Sequence, residues 1–340
     1  GTEKCPFEGG CPKLSAYNNT YDIAKCWAIV SVIVYHVINI IFYNQIIHSF
    51  IDTYFLALFF FISGLLVKDD KVKCKGWLKM KAVQLLIPFI CIFIFNRLYY
   101  HFLEGSSIWS QKSIDDSKSG FWFIFSLFCF LLTTKFCTIL IKNINSITAK
   151  ILVLISPFFI VTILCSILPY EIAGYFSLMS FRRYWLFFVY GYIVNSYWKV
   201  DTVVLRKVLP YSSLCYITMS LYYIFIVKDI SSNFDFAIWF VTNFVGCHFW
   251  LLLIERFKVL FSKNIILNIG RSTLGIYLFH YYPLRWCTIA MGGKQLNDSF
   301  YYYPLTIICT LVILVLAYFI TTAVKSNKIT AFLFLGIKAK

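Results

Sequence analysis

The stretch DIAKCWAIVSVIVYHVINIIFY, residues 22–43, is long and apolar enough to cross a bilayer as one helix, since a spanning helix needs about 20 residues. It nevertheless carries Asp22 and Lys25 at its start and His36 deep inside. An ionisable side chain at that depth is costly, so it indicates a function. The rest of the chain is expected to pack around this helix.

Lys25 and His36 lie on one side of that helix, 11 positions apart. At about 100° and about 1.5 Å per residue, they point within about 20° of each other and lie about 16 Å apart along the axis. The stripe that joins them also contains Asp22, Ile29, Val32 and Asn39. It predicts polar groups at both ends of an otherwise apolar helix face.

The composition is that of a membrane protein. Of the 340 residues, 60% are hydrophobic and 14% are charged, whereas soluble domains carry about 25% charged residues. The predicted fold is therefore all-α, a polytopic membrane bundle of about ten helices. The spans are expected at 23–43, 50–67, 83–103, 121–140, 151–169, 183–197, 209–227, 237–254, 272–290 and 303–324.

The charged loops predict the orientation in the bilayer. The stretch KDDKVKCKGWLKMK, residues 68–81, holds six lysines, and the other basic loops fall on the same face if there are ten spans. The opposite face has the loop 104–120 with Asp115 and Asp116. Basic loops stay in the cytoplasm, so the net charge of +16 needs no nucleic-acid partner. We expect a cytoplasmic tail at 1–20, a membrane domain at 21–326 and a cytoplasmic tail at 327–340.

His36 and Lys25 each have two interpretations. His36 would act as a general base that takes a proton from a hydroxyl or an amine, or it would be a hydrogen-bonded packing residue. Lys25 would bind an anion such as phosphate, or extend its ammonium group to the lipid headgroups. Asp22 would pair with Lys25 or cap the helix. Ser63 and Lys68 are expected near Lys25 at the cytoplasmic end.

Four arginines are predicted in the outer half of the bundle, namely Arg97, Arg182, Arg183 and Arg285. An arginine inside a span needs a partner or a polar cavity. Together they suggest an outer cavity that binds a sugar or an oxyanion. Separate pairing of each guanidinium with carbonyls or headgroups is the alternative.

Three further side chains are candidates for substrate binding. Trp122 is interpreted either as an interfacial belt residue or as a platform for substrate. Tyr277 and His280 are three positions apart and so share a helix face, where they would bind substrate, support His36 or simply pack. The histidines show no spacing typical of a metal site, so no metal is expected.

Four stretches by their order and spacing, and a fifth more loosely, resemble the acyltransferase 3 family of integral membrane acyltransferases. They are YDIAKCWAIVSVIVYHV (21–37), FFFISGLLV (59–67), GFWFIFSLF (120–128), RSTLGIYLFHYYPL (271–284) and, more loosely, RRYWLFFVYGYIV (182–194). The resemblance covers the chain beyond residue 20. The first span in that family carries a basic residue, often Arg, and a His with ten residues between them, which Lys25 and His36 match.

The resemblance implies transfer of an acyl group, commonly acetyl from acetyl-CoA, to a glycan hydroxyl or another membrane-exposed acceptor. Acetyl-CoA would be a co-substrate, with no permanently bound cofactor, and the lipid bilayer would be the other partner. The protein is expected in the bacterial inner (plasma) membrane with both termini cytoplasmic. The oligomeric state stays open.

The expected mechanism connects both ends of the stripe. The CoA diphosphate would lie near Lys25 and the cytoplasmic lysine and arginine loops, and the pantetheine arm would follow the Ile29–Val32 face. His36 would deprotonate the acceptor for direct attack, which we favour, or carry the acyl group itself. The outer arginines, together with the aromatic and histidine candidates above, would hold the acceptor.

Two other classes of protein are compatible with the sequence. A polytopic transporter or flippase of a glycan or small anionic solute would also have many spans and a buried histidine. It would show interrupted helices and internal repeats, and neither is clear in the sequence. A sensor or structural membrane protein would use His36 only for packing.

Overall fold

The computed structural model describes residues 19–104, 121–198, 202–227, 230, 232–293, 295–296 and 302–337. The helices in these ranges are α1 Asn19–Ile40, α2 Gln45–Asp52, α3 Phe55–Leu65, α4 Asp69–Lys73, α5 Trp77–Glu104, α6 Trp122–Leu140, α7 Ile147–Ile167, α8 Tyr170–Tyr175, α9 Leu178–Ile193, α10 Thr202–Tyr222, α11 Asn233–Phe261, α12 Asn264–Arg271, α13 Thr273–Phe279, α14 Tyr281–Ala290, α15 Tyr302–Ser326 and α16 Lys328–Leu335. A 3₁₀ turn at Ile141–Asn143 follows α6, and π-helical turns at Val194–Trp198 and Tyr223–Val227 extend α9 and α10. The predictions for residues 1–18 and for Asp115 and Asp116 lie outside the described residues.

Eight helical stretches of the described chain are long and apolar enough to cross a membrane. They are Asn19–Ile40, Gln45–Leu65, Trp77–Tyr99, Trp122–Asn143, Ile147–Ile167, Lys207–Val227, Asn233–Phe261 and Tyr302–Ser326. The other two predicted spans are helical as well, since 183–197 lies in α9 and its π-helical turn, and 272–290 is divided between α13 and α14. The predicted all-α membrane bundle is confirmed, and the chain is an integral membrane protein.

Helix α1 lies at the centre of the bundle, where it packs against α3, α11, α12 and α15. Its small and β-branched side chains let these neighbours approach, and Ala24, Ile29 and Ile33 have no exposed surface. On the predicted stripe, Asp22 is fully buried and Val32 is 2% exposed. The chain is therefore built around α1, as its sequence indicates.

The segment that contains α12, α13 and α14 is interrupted twice, at Ser272 and at His280. Pro283 has no N–H to donate to the carbonyl of Phe279, so one helical hydrogen bond is missing, while the His280 N–H still donates to the carbonyl of Ile276 at 2.9 Å and the Leu284 N–H to the carbonyl of His280 at 3.1 Å. His280 has no exposed surface. The interruption therefore lies inside the protein, next to a buried polar side chain.

Helices α3 and α9 cross in close contact through two glycines. A Cβ atom added at Gly64 would lie 1.9 Å from the carbonyl oxygen of Phe188, and one at Gly191 would lie 2.2 Å from that of Phe61. Both separations are far below van der Waals contact. Glycine at these two positions thus permits the backbones to touch, as small residues do in other membrane bundles.

Gly64→Ala is expected to lower the midpoint of thermal unfolding, because α3 and α9 must separate to admit the methyl group. Overpacking of this kind costs about 1–3 kcal/mol. Gly174→Ala is the matched control, since no neighbouring atom lies within 4 Å of its added Cβ. Circular dichroism of both variants in one detergent measures the difference, and equal midpoints would contradict the crossing.

Candidate active site

Two histidines and a tyrosine meet near the C-terminal end of α1. Nε2 of His36 lies 3.0 Å from the hydroxyl oxygen of Tyr281. The ring centroid of His36 is 4.8 Å from that of Tyr281 and 5.3 Å from that of His280, and the rings of His280 and Tyr281 are 4.3 Å apart. We call these three residues the histidine cluster. His36 thus faces other polar rings inside the bundle.

The hydrogen bond of the His280 side chain determines which ring nitrogen carries the hydrogen. Its Nδ1 lies 2.7 Å from the carbonyl oxygen of Tyr277. Because a carbonyl only accepts, Nδ1 must carry the hydrogen, and Nε2 of the neutral ring holds a lone pair. That Nε2 is buried and has no hydrogen-bond partner among the described residues. A buried acceptor without a partner costs about 1–3 kcal/mol, so this atom is available for a donor on a ligand.

Aromatic rings surround the histidine cluster. The ring centroid of Phe121 is 6.0 Å from that of Tyr281, and the ring of Tyr277 is 5.3 Å from that of Phe123. Trp122 stacks on Tyr184 with the ring planes 23° apart, so it packs within the bundle. These rings place the polar groups in mainly apolar surroundings, where electrostatic interactions are stronger than in water.

A charge cluster occupies the other end of α1. The Asp22 carboxylate has no exposed surface and lies 2.7 Å from Nζ of Lys25 and 2.9 Å from Nε of Arg271. Gly270 permits this, because a Cβ there would lie 2.0 Å from the backbone oxygen of Asp22. The pairing of Lys25 with Asp22 is one of the two roles considered for Asp22. The contact of Lys25 with an anion stays a prediction.

Ser63 and Lys68 line the same cavity. It has a volume of about 430 Å³, and its wall includes neither Asp22 nor Lys25. The Ser63 hydroxyl donates to the carbonyl oxygen of Phe59 at 2.8 Å. The expected proximity of Ser63 and Lys68 to Lys25 stays a prediction.

The four outer arginines lie in different surroundings. Arg97 is buried with its guanidinium 5.5 Å from the ring centroid of Phe93. Arg182 lies 6.0 Å from the ring of Phe236 and lines a groove of about 600 Å³. The guanidinium of Arg183 lies 4.5 Å from the ring of Trp239 and is attracted by the Asp52 carboxylate. Arg285 is half-buried, one turn after Tyr281. Their predicted role in binding a sugar or an oxyanion is not decided by these contacts.

Sequence reasoning missed three residues of these sites. Tyr281 follows His280 directly, and its helix position already places it near the predicted histidine pair. Arg271 is the first residue of the quoted stretch 271–284, but its partner Asp22 is far away in the chain. Asp52 accepts hydrogen bonds from the Tyr223 hydroxyl at 3.0 Å and from Trp239 Nε1 at 2.9 Å; no sequence pattern signalled it.

The described residues include no group of three or more His, Cys, Asp or Glu side chains placed to hold a metal ion. The polar side chains of the histidine cluster are two imidazoles and a phenol. Such groups transfer protons and position hydroxyl groups.

The bundle and the histidine cluster define an integral membrane protein with a buried polar site. A family model described as an acyltransferase domain matches residues 18–320, nearly the whole chain. The chain therefore belongs to this acyltransferase family, as the sequence resemblance indicates, and it is a membrane acyltransferase. No curated protein and no solved structure matches the chain.

Proposed function

We propose that this acyltransferase moves an acyl group, acetyl in the simplest case, from acyl-CoA to a hydroxyl of a glycan or another membrane-exposed acceptor. The observation that carries the proposal is the histidine cluster, in which the half-buried His36 and Tyr281 meet the fully buried His280. The free lone pair on Nε2 of His280 favours an acceptor that donates a hydrogen bond. A hydroxyl donates, whereas a carboxylate or a phosphate dianion only accepts.

His36 is the base in this mechanism. If its Nε2–H donates to the Tyr281 oxygen across the observed 3.0 Å, Nδ1 holds the lone pair that receives the acceptor's proton. The acceptor oxygen then attacks the thioester carbonyl, the carbon–sulfur bond breaks, and CoA leaves as the thiol with the proton from His36. His280 holds the acceptor. Direct transfer is the proposed route, and acylation of His36 itself is the alternative.

The proposed orientation places both termini in the cytoplasm of a cell bounded by this inner (plasma) membrane. The N-terminal end of α1, with the charge cluster, then faces the side where acyl-CoA is found. The histidine cluster lies about 16 Å deeper. Donor and acceptor would thus approach the cluster from opposite sides of the membrane.

A transporter or flippase of a glycan or small anionic solute is the second candidate. The interruptions at Ser272 and His280 favour it, because broken helices form the binding sites of many transporters. The interruption at His280 is equally compatible with an enzyme, because His280 and Tyr281 both lie next to His36.

An experiment with labelled acetyl-CoA distinguishes the acyltransferase from the transporter. Purified protein in nanodiscs would be incubated with acetyl-CoA carrying a radioactive acetyl group and with candidate hydroxyl acceptors. The proposal predicts release of CoA thiol that depends on the acceptor, with label on the acceptor. Label retained on the protein would support acylation of His36. Uptake of a labelled solute into proteoliposomes, without any release of CoA, would support transport and overturn the proposal.

A further inference from the structure

Two cysteines that the proposed chemistry does not use lie next to each other on neighbouring helices. Cys287 belongs to α14 and Cys309 to α15, and these two helices pack against each other. The two thiols are hydrogen-bonded to each other. Both are half-buried, and both are free thiols in this structure. We call Cys287 and Cys309 the thiol pair.

The thiol pair differs from the other cysteines of the described chain. Cys26 and Cys247 are buried, as is usual for cysteines that only pack as small apolar side chains. The Cys137 thiol donates to a backbone carbonyl oxygen at 3.7 Å. Among the described residues, a hydrogen bond between two cysteine thiols is found only in the thiol pair. Packing alone therefore does not account for this arrangement.

The thiol pair lies toward the end of the bundle that contains the histidine cluster. Cys287 is three residues before the end of α14, and Cys309 is seven residues after the start of α15, so both lie within about 11 Å of the connection between these helices. In that connection the Leu296 N–H donates to the carbonyl oxygen of Ile41 at 2.8 Å, and the Leu296 carbonyl accepts from the Tyr43 N–H at 3.1 Å. The connection thus covers the C-terminal end of α1, which in the proposed orientation faces away from the cytoplasm.

That location is suited to a disulfide. Disulfides form and persist in the oxidising compartments outside the cytoplasm, whereas cytoplasmic thiols are kept reduced. A disulfide needs two cysteines close together with their side chains directed at each other, and the hydrogen bond between the two thiols provides both. Helix α15 also packs against α1 and α13, so a bond to it would connect α14 to the centre of the bundle.

A bond between the thiols would attach the interrupted segment of α12, α13 and α14 at a third point. The segment already contacts α1 through Arg271, which pairs with Asp22, and through Tyr281, which contacts His36. Tyr281 is the first residue of α14, and Cys287 lies in its last turn. The bond would therefore hold α14 at both ends, beside the histidine cluster.

We propose that Cys287 and Cys309 form a reversible disulfide between α14 and α15 in the presence of a small-molecule disulfide on the outer side of the membrane. The thiolate of one cysteine attacks the small disulfide and releases one small thiol. The other cysteine then attacks the protein sulfur of this mixed disulfide and releases the second small thiol. The protein loses two protons and two electrons, which reduce the small disulfide to two thiols. The inference depends on the proposed orientation of the chain, and not on acyl transfer itself.

Peptide mapping tests the proposal, because trypsin separates the two cysteines. Cleavage after Lys294, which lies between them, gives the peptides 286–294 and 295–325, each with a single cysteine. Reduced protein in nanodiscs would be treated with dithiodipyridine, a membrane-permeant disulfide, and the remaining thiols would be alkylated before digestion without reductant. We expect mass spectrometry to show these two peptides joined by a disulfide in most of the protein, and separated again after treatment with dithiothreitol.

The disulfide should also raise the midpoint of thermal unfolding. The two cysteines are 22 positions apart, and closing a loop of this size in the unfolded chain should raise the midpoint by about 3–8 °C. In Cys287→Ser and in Cys309→Ser the same reagent should leave the midpoint unchanged and give no joined peptides. Cys215→Ser is the matched control, because it removes an exposed cysteine of α10 and should behave like the wild type.

The other results would overturn the proposal. Two separate pyridyl mixed disulfides, without joined peptides, would show that the two sulfurs do not reach each other. Unreacted thiols at both positions would show that a small disulfide has no access to them. These measurements do not require turnover, so an absence of acyl transfer would overturn the proposed function without affecting the assignment of the disulfide.

Discussion

His36→Ala is expected to lower kcat for acyl transfer about 10²- to 10⁴-fold, the usual loss when a general base is removed. The KM for acetyl-CoA should change little, because in the proposed orientation CoA approaches from the opposite end of α1, about 16 Å from His36. Initial rates of CoA thiol release at saturating acceptor measure both quantities. The loss should not follow from unfolding, since removal of a half-buried imidazole leaves the aromatic packing around Tyr281 and His280 in place.

His248→Ala is the matched control for that prediction. Nε2 of His248 lies 2.9 Å from the hydroxyl of Tyr190, which closely repeats the 3.0 Å contact between His36 and Tyr281. Both histidines are half-buried on long spanning helices. If the histidine cluster performs the chemistry, only the His36 variant should lose activity, while both should lose similar stability. Near-normal turnover of His36→Ala would exclude His36 both as base and as acyl carrier.

The features that depend on a single helix could be predicted from the sequence. The membrane fold follows from composition, and the common direction of Lys25 and His36 follows from helix geometry alone. The central position of α1 follows from its polar groups, because a stripe with Asp22 and His36 cannot face lipid. These are properties of local sequence, so no knowledge of the neighbours was needed.

The partners across the bundle could not be predicted. Asp22 pairs with Arg271 over a separation of 249 positions, and His36 contacts Tyr281 over 245 positions. Hydropathy places residues at a depth in the membrane, but it does not give the rotation of one helix against another. The arginines illustrate this, since Arg97 lies against Phe93, Arg182 against Phe236 and Arg183 against Trp239, and none of these partners follows from depth alone.

The helix interruption at His280 was also missed, although its cause is visible in the sequence. Pro283 removes a backbone donor inside a predicted span. In the structure the interruption separates α13 from α14, so that Tyr277, His280 and Tyr281 contribute to one site from both sides of it. An interrupted helix beside a buried polar residue is a signal that a sequence search for functional sites could use.

Two polar contacts join α1 to the segment that contains α12 to α14. Asp22 holds Arg271 near one end of α1, and His36 contacts Tyr281 near the other end. The segment is therefore held against α1 at Arg271, which precedes His280, and at Tyr281, which follows it. A change in the charge cluster should for that reason affect the histidine cluster as well as stability.

Asp22→Ala is expected to destabilise the protein by about 1.5–3 kcal/mol, because Lys25 and Arg271, whose side chains are 15% and 51% exposed, lose charge-assisted hydrogen bonds to the buried carboxylate. The loss should be seen as a lower thermal midpoint in detergent, with reduced transfer activity at temperatures where the variant is still folded. Lys73→Ala is the control, since its pair with Asp69 has a lysine side chain that is 56% exposed and such pairs contribute about 0–1 kcal/mol.

The double variant Asp22→Ala/Lys25→Ala tests the cause of that loss. Removing Lys25 together with Asp22 takes away one of the two cations that would otherwise face each other, so the double variant should be more stable than Asp22→Ala alone. A coupling free energy of this kind isolates the interaction between contacting residues. If the stability losses of the two substitutions are instead additive, the Asp22 carboxylate stabilises the protein through packing. The contacts between α1 and the α12–α14 segment would then not depend on charge.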